Sequence, residues 1–465
     1  MKKITSALLA AAAAVSSITF ATPCADSFGA ELTSVTEVTA PAAAKTAYEG
    51  ANPVISRGVP AYSGKSDSAS MGNDEHYFTS WSASSGDYLA YDLSGVPQEQ
   101  RRKVLAAWYN LSSYDALGQY VSRSAEPEDY TIEINKAAGG SCPESGWEVV
   151  ETVTGNGYSS RQHIVDMEGY NWIRMNVTKA LGDRVTLNLD IHDVSEGVFD
   201  SWIFFGDSIT AGGMVNAYGT SFANYVNRID SRFFPAQENG GIGGITSKDG
   251  KENIDRWLST CNAHFVSIAY GTNDCWGNPD NAQSYYSNTK YMIDAVLKAG
   301  KVPVLPKIPF STNKDVGPNT GYYNAMIDKL YEEYGDKLVH GPDFDALFRE
   351  YPEGLSSDGV HPSSEGYEKM KKLWAETAYE NVYKKIGEQT PSGYVKGDVN
   401  DDGEANAADL VLLSKFLLGD KSAKLKSWQA GDLCDDGRLD TFDLAALRKL
   451  IIEQGEPATS ARTNV

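Results

Sequence analysis

Four short stretches of the chain hold residue types that can do chemistry together. "GDSIT" follows the apolar run "WIFF" with Ser208 as its third residue, and "NGGIGG" sets Asn239, Gly241 and Gly244 in an N-x-G-x-x-G spacing. "GTND" places Asn273 and Asp274 after a second apolar run, "FVSIAY", and "DGVHP" holds Asp358 three residues before His361. A serine hydroxyl is a weak nucleophile and needs a base. His361 can be that base. Asp358, on the same loop, can orient the imidazole and stabilise the imidazolium, and Pro362 stiffens the loop. The oxyanion of a tetrahedral intermediate needs aimed donors, which the backbone N–H groups of Ser208 and Gly241 and the Asn273 amide can supply. Gly241 suits that role because no side chain blocks approach to its backbone. Each stretch alone reads as a polar turn, and a lone histidine is more often structural; all four in order, each at a strand end or in a loop, point to a serine nucleophile with its apparatus. Asp274 and its neighbour Trp276 are candidate substrate contacts, the indole as a sugar platform. His264 and His340 adjoin predicted strands and are expected to pack or cap.

The segment that must position these residues runs from Phe199 to about Ile386. Apolar strands ("WIFFG", "FVSIAYG", "VPVLPKIPF", "KLVHGPDF") alternate there with helical stretches such as "AQSYYSNTKYMIDAVLKAG" and "YYNAMIDKLYEEYG". Such alternation predicts a parallel sheet with helices on both faces and functional groups beyond the C-terminal strand ends. The four blocks resemble the SGNH (GDSL-type) hydrolase superfamily, whose name letters match Ser208, Gly241, Asn273 and His361. The resemblance covers the segment assigned to residues 199–387. It implies a flavodoxin-like fold and acyl transfer to water with no catalytic cofactor. It leaves the acyl group open, since lipases, thioesterases and sugar deacetylases share the blocks. No long apolar lid segment is evident, which argues against a lipase.

Residues 50–196 read differently. Short alternating runs ("DYLAYDL", "KVLAAWYN", "DYTIEIN", "WEVVETV", "NWIRMNV", "RVTLNLDIHDV") are broken by Gly, Ser, Asn and Asp, with no long helical period, which predicts a β-sandwich. Their order resembles the discoidin-like, galactose-binding-like sandwiches, so this is a possible carbohydrate-binding domain. Trp81, Trp108 and Trp147 could stack on sugar rings or pack in a core.

After the polar stretch "GEQTPSG", assigned as a linker over 388–393, an acidic repeat occupies 394–455. Its first copy places Asp398, Asn400, Asp402, Glu404, Asn406 and Asp409 at loop positions 1, 3, 5, 7, 9 and 12, with Gly403 at the tight turn. Oxygen ligands at these spacings form a calcium loop. The second copy gives Asp432, Asp436, Arg438, Asp440 and Asp443, with Cys434 at position 3, where sulfur suits a hard cation poorly. Apolar residues recur at helical spacing after each loop: Leu410, Leu413, Leu417 and Leu444, Leu447, Ile451. A loop and one helix, twice, resembles the dockerin modules of cellulosomal enzymes. The resemblance implies structural Ca2+ and a cohesin partner on a scaffold protein.

The chain has 465 residues, enough for several domains, and its formal net charge of −21 disfavours nucleic acid and anionic membranes as partners. Lys2 and Lys3 followed by "ALLAAAAAVSSITF" form a signal peptide over 1–25, cut after Ala21 or Ala25, with a Pro/Thr/Ala-rich linker over 26–49. No membrane insertion is expected. Cys261 and Cys275 flank one predicted strand, at roughly 20 Å apart beyond disulfide reach, so free thiols are expected. Together these readings give a secreted, extracellular, cellulosome-associated esterase that acts on acetylated plant polysaccharide, most simply acetylated xylan. Pectin or peptidoglycan deacetylation, lipase-like hydrolysis and a mainly polysaccharide-binding subunit are the alternatives.

Overall fold

The computed structural model describes residues 51–110 (without 75 and 78), 125–215, 221–384 and 395–455 (without 401, 419, 421, 422, 424, 427 and 435–438). The expected signal peptide, both linkers, and Asp436 and Arg438 lie outside the described residues. The chain divides into two compact units, one holding the described residues up to 384 and the other those from 395 onward.

The first unit opens with nine antiparallel strands: β1 Ala61–Ser63, β2 Trp81–Ala83, β3 Asp87–Asp92, β4 Lys103–Asn110, β5 Pro127–Asn135, β6 Glu148–Val153, β7 Ser160–Asp166, β8 Trp172–Ala180 and β9 Val185–Asp193. They form two sheets, β1-β3-β8-β5-β6 and β2-β9-β4-β7. Alternation decides which face is buried: Ile173, Met175 and Val177 of β8 meet Tyr130, Ile132 and Ile134 of β5 and Leu187, Leu189 and Ile191 of β9 in one core. Trp81 and Trp108 lie inside that core, fully buried, and cannot reach a ligand. Trp147 has the Arg174 guanidinium 4.1 Å above its ring and gives its Nε1–H to the Pro143 carbonyl.

A parallel sheet follows: β10 Ser201–Gly206, β11 Ala236–Gly241, β12 Phe265–Ala269, β13 Val302–Lys307 and β14 Val339–Asp343. All pairs are parallel, in the order β11-β10-β12-β13-β14, the flavodoxin-like 2-1-3-4-5. The continuous run "WIFF" is the signature of a strand covered on both faces. Ile203 and Phe205 face a core shared with α3 Ser247–Leu258, α4 Ala282–Lys298 and α5 Gly317–Tyr334. Trp202 and Phe204 face the opposite core, against α2 Phe222–Ile229 and α7 Ser364–Ala378. Two short helices complete the layer set, α1 Ser208–Gly213 and α6 Phe344–Glu350.

The sandwich and the parallel sheet share a core. Tyr77, Leu105, Ala107 and Tyr109 pack on Ala223, Phe234 and Ala236. The Asn52 carboxamide oxygen accepts from the N–H groups of Phe199 and Asp200 at 2.7 and 2.8 Å, pinning the entry to β10. In the second unit, α8 Ala407–Leu417 and α10 Thr441–Gly455, with the short α9 Trp428–Gly431 between them, follow the acidic loops. Val399, Leu413, Leu439 and Leu447 are buried together there. Among the described residues no helix is long and apolar enough to cross a membrane, and none of Cys142, Cys261, Cys275 and Cys434 is in a disulfide.

Candidate active site

Ser208 is the first residue of α1, at the C-terminal end of the central strand β10. Asp207 caps the helix: its Oδ1 accepts from the Ile209 N–H at 3.0 Å. Ser208 Oγ lies 2.8 Å from His361 Nε2, and His361 Nδ1 lies 2.7 Å from Asp358 Oδ2. The other Asp358 oxygen accepts from Ser356 Oγ and from the N–H groups of Val360 and His361, at 2.8, 2.8 and 3.0 Å. Partial burial raises the Asp358 pKa, but the His361 hydrogen bond and these further donors outweigh it and hold the carboxyl well below the usual carboxylate range. The carboxylate therefore stays charged beside the imidazole. The relay opens to solvent, with His361 38% and Asp358 50% exposed.

The oxyanion donors fall less simply. Gly241, the last residue of β11, is buried, and its N–H donates to Asn239 Oδ1 at 3.0 Å. A Cβ there would stand 2.2 Å from the Ala211 nitrogen, so Gly241 is a close-packing glycine that lets β11 approach α1. In this structure the Gly241 N–H, expected as an oxyanion donor, is given to Asn239. Gly244, three residues on, is exposed and holds φ +75°, and a Cβ there would meet nothing within 4 Å. Asn273 Nδ2 donates to the carbonyl of the adjacent Ile245 at 2.9 Å. That leaves Asn273 one amide hydrogen to give and sets it beside the loop of Gly244. Asp274, expected as a substrate contact, is engaged as well. Its carboxylate takes the Ser247 hydroxyl, and the Ser247 N–H at 2.9 Å, at the start of α3, so it is a helix-start ligand rather than a free substrate contact. Trp276 is 48% exposed.

Behind the nucleophile lies a cavity of about 30 Å³, walled by Asp207, Thr210, Ser267, Thr272 and Lys307 on its polar side. Burial pushes the Asp207 carboxyl up to about 7, against the Ile209 N–H and the field of His361, which act to lower it. His264 and His340 stand apart from this site: His264 packs edge-on against Phe265, and His340 stacks on Tyr331 with ring centroids 3.7 Å apart.

In the second unit the first acidic loop is tightly wound. Asp398 accepts from the N–H groups of Asp402 and Gly403 at 3.1 and 2.7 Å. Asp409 accepts from those of Asn400 and Asn406 at 3.0 and 2.9 Å. Asp398 and Asp409 are both buried, and Asn400 Oδ1 is buried without a hydrogen-bond partner. Asp402 Oδ1 takes the Glu404 N–H and Asn406 Oδ1 caps α8 through the Ala408 N–H. In the second loop Asp443 accepts from the N–H groups of Cys434 and Asp440, and Asp440 from Phe442, the same pattern as the first. Asp432 and Asp443 are buried as well.

Residues 204–369 match the GDSL-like lipase/acylhydrolase family, and residues 396–452 match the dockerin type I domain. The chain carries a GDSL-like acylhydrolase domain and a type I dockerin. A multidomain esterase of Ruminococcus flavefaciens is 28% identical over 172 residues, 33% of this chain; the chain spans only 22% of that relative's length. Similar solved structures include an acetylxylan esterase from Geobacillus stearothermophilus (22% identity, 40% of this chain and 94% of that one, TM-score 0.32). A lipase/acylhydrolase from Enterococcus faecalis is another (20% identity, 42% and 99%, TM-score 0.33).

Within the GDSL-like domain, sequence reasoning missed the residues that hold the catalytic loop. The Gly359 carbonyl accepts from Ser311 Oγ at 2.6 Å and from the Thr312 N–H at 2.9 Å, and the Asp358 carbonyl accepts from Asn313 Nδ2 at 3.1 Å. The run "FSTN" after β13 gave no periodic signal; only its place at a C-terminal strand end pointed to the site. Asp207 and Gly244 both lie inside the four blocks; the structure shows the first as the cap of α1 and the second at a positive φ.

Proposed function

We propose that the protein is a secreted esterase that removes O-acetyl groups from plant cell-wall polysaccharide, acetylated xylan above all, while docked on a cohesin-bearing scaffold. The observation that carries the esterase reading is the solvent-open relay Ser208–His361–Asp358, with its contacts of 2.8 and 2.7 Å. Ser208 Oγ gives its proton to His361 Nε2 as it bonds to the acyl carbon, and the carbonyl π pair moves to oxygen. The Ser208 N–H, the Gly244 N–H and the second Asn273 amide hydrogen receive that charge. Collapse breaks the bond to the sugar oxygen, which takes the proton from His361. A water then repeats the sequence on the acyl-serine, releases acetate and restores the Ser208 proton. Trp276 offers an exposed ring face to the sugar chain.

The substrate class rests on the pairing of an esterase domain with a dockerin, and on a relative named as a multidomain esterase. Acetate release from acetylated xylan, acetylated pectin and peptidoglycan, alongside esters of longer acyl chains, tests it. Fastest release from xylan and a preference for acetyl are expected. A preference for long acyl chains, or for peptidoglycan, overturns it.

Calcium fits the first dockerin loop. Asn400 Oδ1 is a buried acceptor with no hydrogen donor, and oxygen atoms of Asp398, Asp402, Asn406, Asp409 and the Glu404 carbonyl stand at calcium-loop positions around it in sequence. When bound, the ion would neutralise these carboxylates and fix the loop on α8. Asp432, Asp440 and Asp443, with Asp436 and Arg438, would form the second and weaker site, because Cys434 replaces an oxygen ligand.

A further inference from the structure

We propose that the sandwich is part of the catalytic apparatus and that Ser160, on its strand β7, is a positioning residue for the Ser208 nucleophile. The inference rests on the esterase reading above and adds to it a residue from outside the GDSL-like domain.

The edge of the catalytic sheet is where the sandwich attaches. β11 lies at the end of the strand order and pairs on one side only, with β10. An edge strand leaves alternate N–H and C=O groups without sheet partners. Yet every residue of β11, "AQENGG", is buried. Buried backbone groups must be paired, and β7 supplies the partner. Ser160 Oγ accepts the Asn239 N–H at 2.9 Å, and both residues are buried. Two residues along β7, Gln162 Nε2 donates to the Trp202 carbonyl of β10 at 2.9 Å, also buried. The Gln162 carbonyl accepts from Asn262 Nδ2 at 2.8 Å, and Arg161 Nε stands 3.8 Å from Glu238.

Asn239 is where this seam reaches the chemistry. Its Nδ2 donates to the Ala211 carbonyl of α1 at 2.9 Å, and its Oδ1 accepts the Gly241 N–H at 3.0 Å. One side chain thus ties the helix that begins with Ser208 to the strand that feeds the Gly244 loop. The position of that side chain depends on its own backbone, which hangs from Ser160. Without an acceptor at residue 160 the Asn239 N–H is left buried and unpaired, and β11 must shift to find water. A shift there moves α1 and the oxyanion loop relative to His361, which is held by other loops. Rates fall steeply with such misplacement even when binding survives.

The test compares Ser160→Ala, Ser160→Thr and Ser160→Cys in the full chain. Ser208→Ala and the wild type run alongside on 4-nitrophenyl acetate. Ser160→Ala is expected to lower kcat by about ten- to a hundredfold, with KM within about twofold. Ser160→Thr keeps the acceptor and should restore most of the rate. Thermal unfolding is followed for each variant, and rates are taken well below every midpoint. A folded Ser160→Ala with wild-type kcat overturns the proposal, as does a lowered midpoint with no change in kcat. If Ser160→Ala does not fold, Ser160→Cys decides in the same way, because it keeps the volume and weakens the acceptor. A wild type as slow as Ser208→Ala would refute the esterase reading itself, a result distinct from either of these.

Discussion

At the scale of single residues, the arrangement assigns unequal weights to the three members of the relay. Ser208→Ala removes the nucleophile and should cut ester hydrolysis by roughly four to six orders of magnitude while the fold persists. His361→Ala should cost about as much, since an unassisted hydroxyl is a poor nucleophile. Asp358→Asn should be milder. The base survives, and an Asn at 358 can still accept from the Val360 and His361 N–H groups that shape the loop. Steady-state kinetics on a small acetyl ester check the order. Near wild-type turnover in Ser208→Ala would remove the mechanism. The relay was legible in the sequence because its members stand in short blocks whose chemistry is fixed by residue type. The proposed oxyanion donor Gly244 was not, because Gly241 and Gly244 are the same residue three positions apart. Only the buried contact with Ala211 and the positive φ tell them apart.

At the scale of elements, the strands that could be read were β10, β12, β13 and β14, as apolar runs alternating with helical stretches, and β3, β4, β5, β6, β8 and β9, as short alternating runs. β7 ("SRQHIVD") and β11 ("AQENGG") carry polar residues at buried positions, so their patterns signal loops. Both are sheet-edge strands that meet one another across the seam, and their burial follows from a contact between regions distant in sequence. That burial has a titration consequence. Burial pushes the Glu238 carboxyl of β11 up to about 7, outweighing the attraction of Arg161, and pushes Asp200, at the entry to β10, up to about 7 as well. Between the ordinary carboxylate pKa of about 4 and this value the folded chain holds protons the unfolded chain has lost. Stability of this unit should therefore fall as pH rises through that window and level off above it. Glu238→Gln should flatten part of the fall, raising the unfolding midpoint at pH 8 by about 2–4 °C per kcal/mol recovered. At pH 4 the variant and wild type should nearly coincide. Calorimetry across pH 4–8 measures this, and a variant no more stable than wild type at pH 8 would count against burial outweighing Arg161 at Glu238.

At the scale of the whole molecule, two units divide the labour. The proposed ester hydrolysis rests on Ser208, His361 and Asp358 in the first unit. The dockerin places Asp398, Asp409, Asp432 and Asp443 in buried positions, where carboxylates need a counter-charge. Chelation with EDTA should therefore abolish capture by a cohesin and lower the dockerin's unfolding midpoint, since calcium stabilises by mass action. It should leave turnover of a small acetyl ester unchanged. Both readouts come from one sample. Scaffold capture that survives EDTA, or turnover that vanishes with it, would reassign the ion.

The seam between β7 and β11 also sets where this gene can be cut and rejoined. A crossover near Gly197 would join a hydrolase to a foreign sandwich. It would replace the Ser160 and Gln162 side chains that meet Asn239 and Trp202, so such chimaeras should be recovered only when the donor brings a matching face. A crossover in "GEQTPSG" falls at the boundary between the two compact units. Shuffled libraries should therefore exchange dockerins freely, changing the scaffold address of an unaltered catalyst. They should inherit residues from Asn52 to Lys384 as one indivisible block.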